Sequence, residues 1–346
     1  MSSEENGAPV KLARKDFQSD QEVRWCPGCG DYGILTAIQL MLPETGIKPE
    51  DLVFVSGIGC AARLPYYMNT YGIHSIHGRA PAVATGVALA RPDLNVWVIG
   101  GDGDMLSIGG NHLIHALRRN VPLKILLFNN QIYGLTKGQA SPTSERGKIT
   151  KSTPFGSHDR PFNPLALALG AEATFVARTI DTDRQHLPEI LRAAAAHEGT
   201  AFVEIYQNCP VFNDGAFEAL RDREQGARNR IPLVHGEPIR FGPALERGVV
   251  RGADGDLRIA DVADVGEAGL LVHDAHREDP SLAFALARLA ERDRHGGLPV
   301  PTPIGVFRAV ERPLHGAAAA HDGDRAVADL SRLDALLHAG DTWTVA

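Results

Sequence analysis

The sequence lacks several features that would each mark a distinct class of protein. It has no window of about 18 apolar residues that could span a bilayer, and its first residues lack the apolar segment of a signal peptide. Its formal net charge of −7 is spread along the chain without a sustained acidic or basic block. This argues against nucleic acid or a membrane surface as a partner. We therefore expect a cytoplasmic protein.

Cysteine is scarce, with 4 residues among 346, and two of these stand close together in the segment WCPGCGDYG at 25–33. Disulfide frameworks are not expected in a reducing cytoplasm, so cysteines grouped by spacing indicate metal or cluster ligands. A C-x-x-C pair alone fits a redox disulfide, half of a zinc site or half of an iron–sulfur site. The pair by itself leaves all three open.

Short apolar runs alternate with helical stretches after a polar N-terminal lead-in at 1–20. The runs are LVFVS at 52–56, NVWVIG at 95–100, LKILLFNN at 123–130, EATFVA at 172–177 and AFVEIY at 201–206. The predicted helices lie at 81–91, 109–119, 163–169 and 185–197. Strands that are apolar on both faces belong in a parallel sheet covered by helices. We predict an α/β, doubly wound, mostly parallel sheet for residues 21–225.

The alternation of apolar runs and helical stretches ends in the C-terminal part, residues 226–346. Weak periodicity is followed by a helical run at 281–294, a short β-like IGVFRAV at 304–310 and a last helix near 324–338. We expect an extension without a substantial core of its own, which covers the main domain or contacts a partner. A disordered tail is the alternative.

The strongest local signal is GGDGD at 100–104, followed by NN at 129–130. Both segments follow apolar strands, and open α/β sheets bind ligands at the carboxyl ends of their strands. Glycines beside Asp102 let backbone N–H groups approach a diphosphate, and a carboxylate with an amide oxygen suits Mg²⁺. The alternative is a tight turn and an unrelated strand-end loop. The intervening residues are enough for one helix and one strand, which favours the cofactor site.

The Gly-Asp-Gly and Asn-Asn pattern resembles that of thiamine-diphosphate enzymes. Further motifs narrow the resemblance to the β subunits of 2-oxoacid:ferredoxin oxidoreductases, particularly the 2-oxoglutarate type. These motifs are CPGCG, SGIGCAARLPYY at 56–67, HGRAPAVATG at 77–86, NNQIYGLTKGQASPT at 129–143 and NCPVFND at 208–214. The resemblance covers about residues 20–225, and a further, weaker match occurs in TPIGVFR at 302–308.

The resemblance implies thiamine diphosphate and Mg²⁺ as cofactors. Asp102, the side chain of Asn130 and the main-chain carbonyl of Ile132 would bind Mg²⁺. The other cofactor-binding residues that we carry over are Gly59, His77, Arg79, Gly101, Gly103, Asp104 and Gly134.

All four cysteines fall inside these motifs. Cys60 and Cys209 follow strand ends, so the fold can bring them to one edge of the sheet beside Cys26 and Cys29. Four thiolates fit a structural zinc ion or a [4Fe-4S] cluster equally well by number. The resemblance assigns them to a [4Fe-4S] cluster, with structural zinc and a redox disulfide as the alternatives.

The resemblance also implies a reaction, the oxidative decarboxylation of 2-oxoglutarate or a related 2-oxoacid. Coenzyme A would take the acyl group as succinyl-CoA, and ferredoxin would collect the electrons through the cluster, as a step of the tricarboxylic acid cycle. The sequence has no flavin or nicotinamide fingerprint that would offer another acceptor. Within the family, pyruvate or a branched 2-oxoacid is the alternative substrate.

A dicarboxylate substrate requires cations. Arg63 and Lys137 resemble the basic positions that bind substrate carboxylates in this family, and His77 is a further catalytic candidate. Solvated surface positions are the alternative for the two cations, and structural hydrogen bonding is the alternative for His77. Pyruvate-preferring relatives commonly have glycine at the position of Lys137, so this residue bears on substrate choice.

Thiamine enzymes use a glutamate to activate the cofactor, and in this family the α subunit supplies it. The sequence shows no candidate, so we expect a chain that is inactive alone and works as an αβ heterodimer or a dimer of αβ units. Two other readings compete: a non-redox thiamine decarboxylase or synthase subunit with structural zinc, and a metal-stabilised scaffold whose cofactor motif is vestigial.

Overall fold

A computed structural model describes residues 12–289 and 301–316, together with residues 335, 337–340 and 343. The β-strands in these residues are β1 Leu52–Ser56, β2 Tyr71–His74, β3 Asn95–Gly101, β4 Leu123–Asn129, β5 Phe175–Ile180, β6 Ala201–Tyr206, β7 Arg230–Leu233, β8 Arg240–Phe241, β9 Arg247–Arg251, β10 Leu257–Asp261 and β11 Thr302–Ala309. The α-helices are α1 Asp31–Thr45, α2 Ala80–Ala90, α3 Asp102–Leu106, α4 Gly110–Arg118, α5 Pro164–Gly170, α6 His186–Ala196, α7 Glu218–Arg221, α8 Arg223–Asn229, α9 Val262–Val265 and α10 Ser281–Ala287. Short 3₁₀-helices occur at Arg14–Phe17, Pro49–Asp51, Ala61–Tyr67 and Glu267–Gly269.

Eight of the described strands form one sheet in the order β2-β1-β3-β4-β6-β5-β11-β7. Neighbouring strands are parallel except β5 and β11, which are antiparallel. Side chains of successive strand residues point to opposite faces of a sheet. Val53 and Val55 accordingly pack into one buried core, and Leu52 and Phe54 pack into another.

Helices cover both faces of this sheet. The core on one side contains buried residues of α2, α4, α5 and α10, and the core on the other side contains residues of α1 and α6. In α1, Ile34, Ile38 and Met41 are fully buried, which is the spacing that places apolar side chains on one helical face. The predicted doubly wound, mostly parallel α/β fold is confirmed.

The predicted strands and helices of the main domain are confirmed within a few residues. The largest shift is in β5, which begins at Phe175 because the preceding turn continues through Glu172, whose φ is +62°. The GDYG tail of the cysteine segment begins α1 as expected. The polar lead-in includes Phe17, a side chain with no exposed surface.

The C-terminal part of the chain contributes to the main sheet. The β-like segment at 304–310 is confirmed as β11, and β7 pairs with it in parallel. The expected helix at 281–294 is found as α10, which ends at Ala287, and residues 290–294 lie outside the described residues. Most of the helix expected near 324–338 also lies outside them. Strands β8, β9 and β10 form a separate antiparallel sheet. Within the described ranges, each helix is too short or too polar to cross a bilayer.

The sheet order determines where the motifs meet. Strands β1, β3, β4 and β6 are consecutive neighbours and run in the same direction, so their carboxyl ends share one edge. Cys60, Asp102, Asn130 and Cys209 each follow one of these strands within a few residues.

Candidate functional site

A cavity of about 460 Å³ opens at this edge of the sheet. Its wall contains many of the predicted site residues, namely Gly59, Cys60, His77, Gly101, Asp102, Gly103, Asp104, Asn130, Ile132 and Gly134. Gly59 has a φ of +131°, a backbone conformation that favours glycine. The rest of the wall comes from Ile58, Ala61, Tyr133, Leu135, Thr136, Gln139 and Ala140. The fold thus brings the two cofactor motifs together, as the spacing predicts.

Asp102 is the buried carboxylate of this cavity. It is 1% exposed, and the hydroxyl of Thr143 donates to its Oδ2 at 2.6 Å. Burial raises the pKa of Asp102 to about 6, although hydrogen bonds from Ser141 and Thr143 act in the other direction. A divalent cation would stabilise the charged form that burial disfavours. This donor set fits Mg²⁺.

Asn130 and Ile132 lie across the cavity from the Gly-Asp-Gly turn. The Oδ1 of Asn130 accepts a hydrogen bond from the Ile132 N–H at 3.2 Å. The Nδ2 of Asn213 donates to the Asn130 carbonyl at 2.8 Å, which fixes this strand end from the side of the Cys209 loop. The side-chain oxygen of Asn130 and the carbonyl of Ile132 are the types of ligand that Mg²⁺ prefers.

Asp104 and His77 form a second pair on the cavity wall. The Nδ1–H of His77 donates to Asp104 Oδ1 at 2.7 Å, and the N–H groups of Gly78 and Ile58 donate to the same oxygen. Burial is the main cause that raises the pKa of Asp104. The other oxygen, Oδ2, is buried and has no hydrogen-bond partner within the part of the chain that the structure describes.

Gly103 lies against the ring of Tyr133. A Cβ on Gly103 would lie 2.1 Å from Cε1 of Tyr133, and the Tyr133 hydroxyl donates to the Gly103 carbonyl at 3.0 Å. The ring of Tyr133 therefore occupies the space that a side chain at position 103 would need. The second glycine of the Gly-Asp-Gly motif, Gly103, therefore has no room for a side chain in this arrangement.

The four cysteines are free thiols that converge beside the cavity. Cys60 lies close enough to Cys26 and Cys209 for their charges to raise its pKa. The charge of Cys60 in turn raises the pKa of Cys29. Burial is the main cause of the raised pKa of both thiols. The pKa of Cys60 rises to about 12, and that of Cys29 rises still more. A metal or cluster would reverse this effect, because coordination deprotonates a thiol.

The surroundings of these thiols bear on what they could bind. In the described residues, no three cysteine, histidine or acidic side chains come close enough to bind a single metal ion. Beside the thiols lies Gly134, where a Cβ would come within 3.7 Å of Sγ of both Cys60 and Cys209. The Nε2 of Gln207 donates to Cys29 Sγ at 3.2 Å. Four thiolates are a donor set that fits a [4Fe-4S] cluster, and glycine at 134 leaves the sulfur atoms of Cys60 and Cys209 uncovered on this side.

The predicted cationic residues lie near the cavity but not on its wall. Arg63 donates from Nε to the Tyr67 hydroxyl at 3.0 Å, and its charge acts on Cys60. Lys137 is exposed and has a φ of +75°, next to the wall residue Thr136. Arg79 donates to backbone carbonyls, including that of Ile108 at 3.3 Å.

The sequence analysis missed several residues that hold this site together. These residues are Thr143, Tyr133, Asn129 and Asn213, for which the sequence patterns predict no role. Their contribution is a hydrogen bond or a ring contact, which has no signature in residue spacing. Tyr133 and Asn129 stand in the NNQIYG motif, so a closer look at neutral residues there would have been the available signal.

Comparison with known proteins agrees with this geometry. Residues 57–205 match a family described as "Thiamine pyrophosphate enzyme, C-terminal TPP binding domain". The match includes both the Gly-Asp-Gly and the Asn-Asn segments. Thiamine diphosphate is therefore the cofactor of this domain.

The chain is 60% identical over 336 residues to the 2-oxoglutarate oxidoreductase subunit KorB of Mycobacterium tuberculosis, covering 96% of this chain and 88% of that protein. The chain belongs to the β subunits of the 2-oxoacid:ferredoxin oxidoreductases. The β subunit of 2-oxoacid:ferredoxin oxidoreductase 1 of Aeropyrum pernix is 50% identical over 190 residues, which span 55% of this chain and 60% of that one.

A solved structure gives the same family. A chain of the 2-oxoglutarate:ferredoxin oxidoreductase from Magnetococcus marinus, determined with 2-oxoglutarate, coenzyme A and succinyl-CoA bound, superposes with a TM-score of 0.74. It is 33% identical, and the match covers 94% of this chain and 96% of that one. As a β subunit of this family, the chain is an oxidoreductase component that works with a partner subunit.

Proposed function

We propose that this chain and an α subunit together convert 2-oxoglutarate, coenzyme A and two oxidised ferredoxins into succinyl-CoA, CO₂, two reduced ferredoxins and a proton. One observation carries the proposal. Cys60 lies on the wall of the same cavity as Asp102 and Asn130. A cofactor in that cavity and a cluster on the four thiols would therefore be adjacent, which is what electron transfer between them requires.

The first part of the proposal concerns the cation. Asp102, the side chain of Asn130 and the carbonyl of Ile132 would bind Mg²⁺, and the Gly101–Gly103 turn would admit the diphosphate close to backbone N–H groups. Bound thiamine diphosphate supplies the carbanion chemistry that releases CO₂ from a 2-oxoacid. The protein residues bind, orient and balance charge around it.

The second part concerns the cluster. Cys26, Cys29, Cys60 and Cys209 would hold [4Fe-4S], and the Gln207 N–H group would stay hydrogen-bonded to the Cys29 sulfur. Hydrogen bonds to ligand sulfurs are one of the means by which proteins set cluster potentials. Structural zinc sites usually draw their ligands from two local knuckles, whereas here one pair and two single cysteines come from three separated loops.

The third part concerns the substrate. Arg63 and Lys137 would attract the carboxylates of 2-oxoglutarate. His77 donates its Nδ1 proton to Asp104, which leaves Nε2 available toward the cavity. In this arrangement Asp104 orients His77, and His77 can hold a proton near the reacting groups. Arg79 would stabilise the loop that carries His77.

We further propose a cytoplasmic αβ heterodimer or dimer of αβ units, acting in the tricarboxylic acid cycle. The α subunit would supply the activating glutamate and would contact residues 226–346. Anaerobic assays of 2-oxoglutarate-dependent ferredoxin reduction with coenzyme A test this directly. The co-expressed αβ complex should be active and the single chain inactive. Turnover by the single chain, or an αβ complex that releases CO₂ without reducing ferredoxin, would contradict the proposal.

A further inference from the structure

Glu204 is an unusual residue for its place in the fold. It lies in β6, which has β4 on one side and β5 on the other, and its side chain has no exposed surface. All residues of β6 are buried. A carboxylate in the middle of an apolar sheet is costly unless it is paired and hydrogen-bonded. Packing alone therefore does not explain why a carboxylate occupies this position.

Two neighbouring strands pair with this carboxylate. From β5, Arg178 Nε donates to Glu204 Oε2 at 2.7 Å, and from the end of β4, Asn129 Nδ2 donates to Oε1 at 2.7 Å. The guanidinium of Arg178 also faces the ring of Tyr206 at 5.0 Å and donates to the carbonyl of Pro303 at 3.4 Å. The charged pair and its partners thus connect four strands of the sheet, β4, β5, β6 and β11.

The hydrogen bonds continue from Asn129 to the cation site. Asn129 Oδ1 lies 2.9 Å from the hydroxyl of Thr143, and that hydroxyl lies 2.6 Å from Asp102 Oδ2. An ionised carboxylate only accepts hydrogen bonds, so Glu204 requires Asn129 to turn its NH₂ group toward β6. The amide oxygen must then face Thr143. The Thr143 hydroxyl has a single proton, which it can donate either to this amide oxygen or to Asp102 Oδ2. The charge of Glu204 therefore keeps an acceptor beside Thr143 that can take this proton and leave Asp102 Oδ2 free for a cation.

We propose that Glu204, paired with Arg178, is a positioning residue for the cation site, acting through Asn129 and Thr143 on the carboxylate of Asp102. This inference rests on the proposed Mg²⁺ site. Glu204 is not one of the residues that form the cavity wall, and its effect is to orient Asn129 and Thr143 so that Asp102 Oδ2 is available when the cation arrives. Groups that orient metal ligands in this way commonly affect affinity about 10–100-fold.

The chain offers a matched control for the cost of a buried charge. Lys124 lies in the adjacent strand β4, is 6% exposed, and donates from Nζ to the carbonyls of His197 and Gly199. Lys124 and these two carbonyls lie at the start of β4, whereas Asn129 lies at its opposite end. Lys124→Met removes a buried charge from the same sheet without touching the path to Asp102.

The test uses the αβ complex purified without its cofactors. Calorimetric titration with thiamine diphosphate, repeated over a series of Mg²⁺ concentrations, gives an apparent Kd for Mg²⁺. Glu204→Gln should raise this Kd about 10–100-fold and leave kcat at saturating Mg²⁺ close to that of the wild type. Lys124→Met should lower the melting temperature without changing the Kd. Asp102→Asn should abolish Mg²⁺-dependent binding.

The path itself is tested by a double variant. If Glu204 acts through Thr143, Glu204→Gln combined with Thr143→Val should be no worse than Thr143→Val alone, whereas independent effects would multiply. An unchanged Kd in Glu204→Gln, beside lost binding in Asp102→Asn, overturns the positioning role and leaves the cation site standing. Normal binding in Asp102→Asn overturns both. If Glu204→Gln does not fold, Asn129→Ser, which no longer reaches Glu204, decides by the same Kd.

Discussion

Gly103 and Tyr133 fit against each other so closely that a Cβ on the glycine would lie 2.1 Å from the aromatic ring. The Tyr133 hydroxyl holds the ring in place by donating to the Gly103 carbonyl at 3.0 Å. Two motifs that are far apart in sequence, Gly-Asp-Gly and the NNQIYG segment, are thereby fixed to each other. The proposed cation ligands of both motifs, Asp102 and Ile132, are the chain neighbours of Gly103 and Tyr133.

Gly103→Ala should therefore weaken thiamine diphosphate binding and destabilise the fold. Overpacking of this kind costs about 1–3 kcal/mol. The matched control is Gly110→Ala, because Gly110 lies in a helix outside the cavity wall and a Cβ there would meet nothing within 4 Å. Cofactor affinity by calorimetry and the melting temperature measure both effects. If the two alanine variants behave alike, the contact with Tyr133 does not set the requirement for glycine.

Gly134→Ala should lower the iron content while the fold is retained. Its Cβ would come within 3.7 Å of the sulfur atoms of Cys60 and Cys209 and would occupy space that the cluster needs. Gly86→Ala is the control, since a Cβ there meets nothing within 4 Å. Iron and sulfide analysis of anaerobically purified variants, with circular dichroism for the fold, checks the prediction. Full cluster content in Gly134→Ala would contradict the proposed position of the cluster.

Lys137→Gly should shift substrate preference away from 2-oxoglutarate. Lys137 has a left-handed φ of +75°, so glycine keeps the backbone conformation and removes only the cation. Loss of a charge-assisted contact worth about 1.5–3 kcal/mol predicts a roughly 10–100-fold fall in kcat/KM for 2-oxoglutarate. The value for pyruvate, which lacks the distal carboxylate, should change little. The exposed Lys151→Gly serves as the control, and an equal loss for both substrates would argue against a carboxylate contact.

Stability at mildly acidic pH should depend on His197. Burial, and secondarily the charge of Lys124, lower the pKa of His197 from 6.5 to about 4, and its Nε2 lies 2.8 Å from the Thr174 hydroxyl. A lowered pKa in the folded state favours the neutral ring, so this contribution is complete above about pH 6.5 and is lost as the pH falls through about 4.

His197→Gln removes the titrating group, so the melting temperature of the variant should fall less steeply between pH 6.5 and 4 than that of the wild type. His158→Gln changes an exposed histidine and should follow the wild-type curve. Parallel curves for the wild type and His197→Gln would show that burial of His197 does not contribute to the pH dependence.

Apolar strands and their following motifs were enough to predict the sheet and the meeting of Asp102, Asn130 and Cys60 at one edge. Parallel strands bring their carboxyl ends together whatever the details of packing. The antiparallel insertion of β11 beside β5 could not be predicted, because a single apolar run does not specify its partner. The sequence also shows Glu204 inside an apolar strand, yet only the fold reveals that Arg178 and Asn129 meet it there.

The central claim is that four cysteines from three separated loops hold one [4Fe-4S] cluster beside the thiamine site. Analysis of iron, acid-labile sulfide and zinc in the anaerobically purified αβ complex tests it most directly. The account predicts about four irons and four sulfides for each of these chains, lost together when Cys60 or Cys209 is changed to serine. One zinc ion per chain, with neither iron nor sulfide, would contradict it.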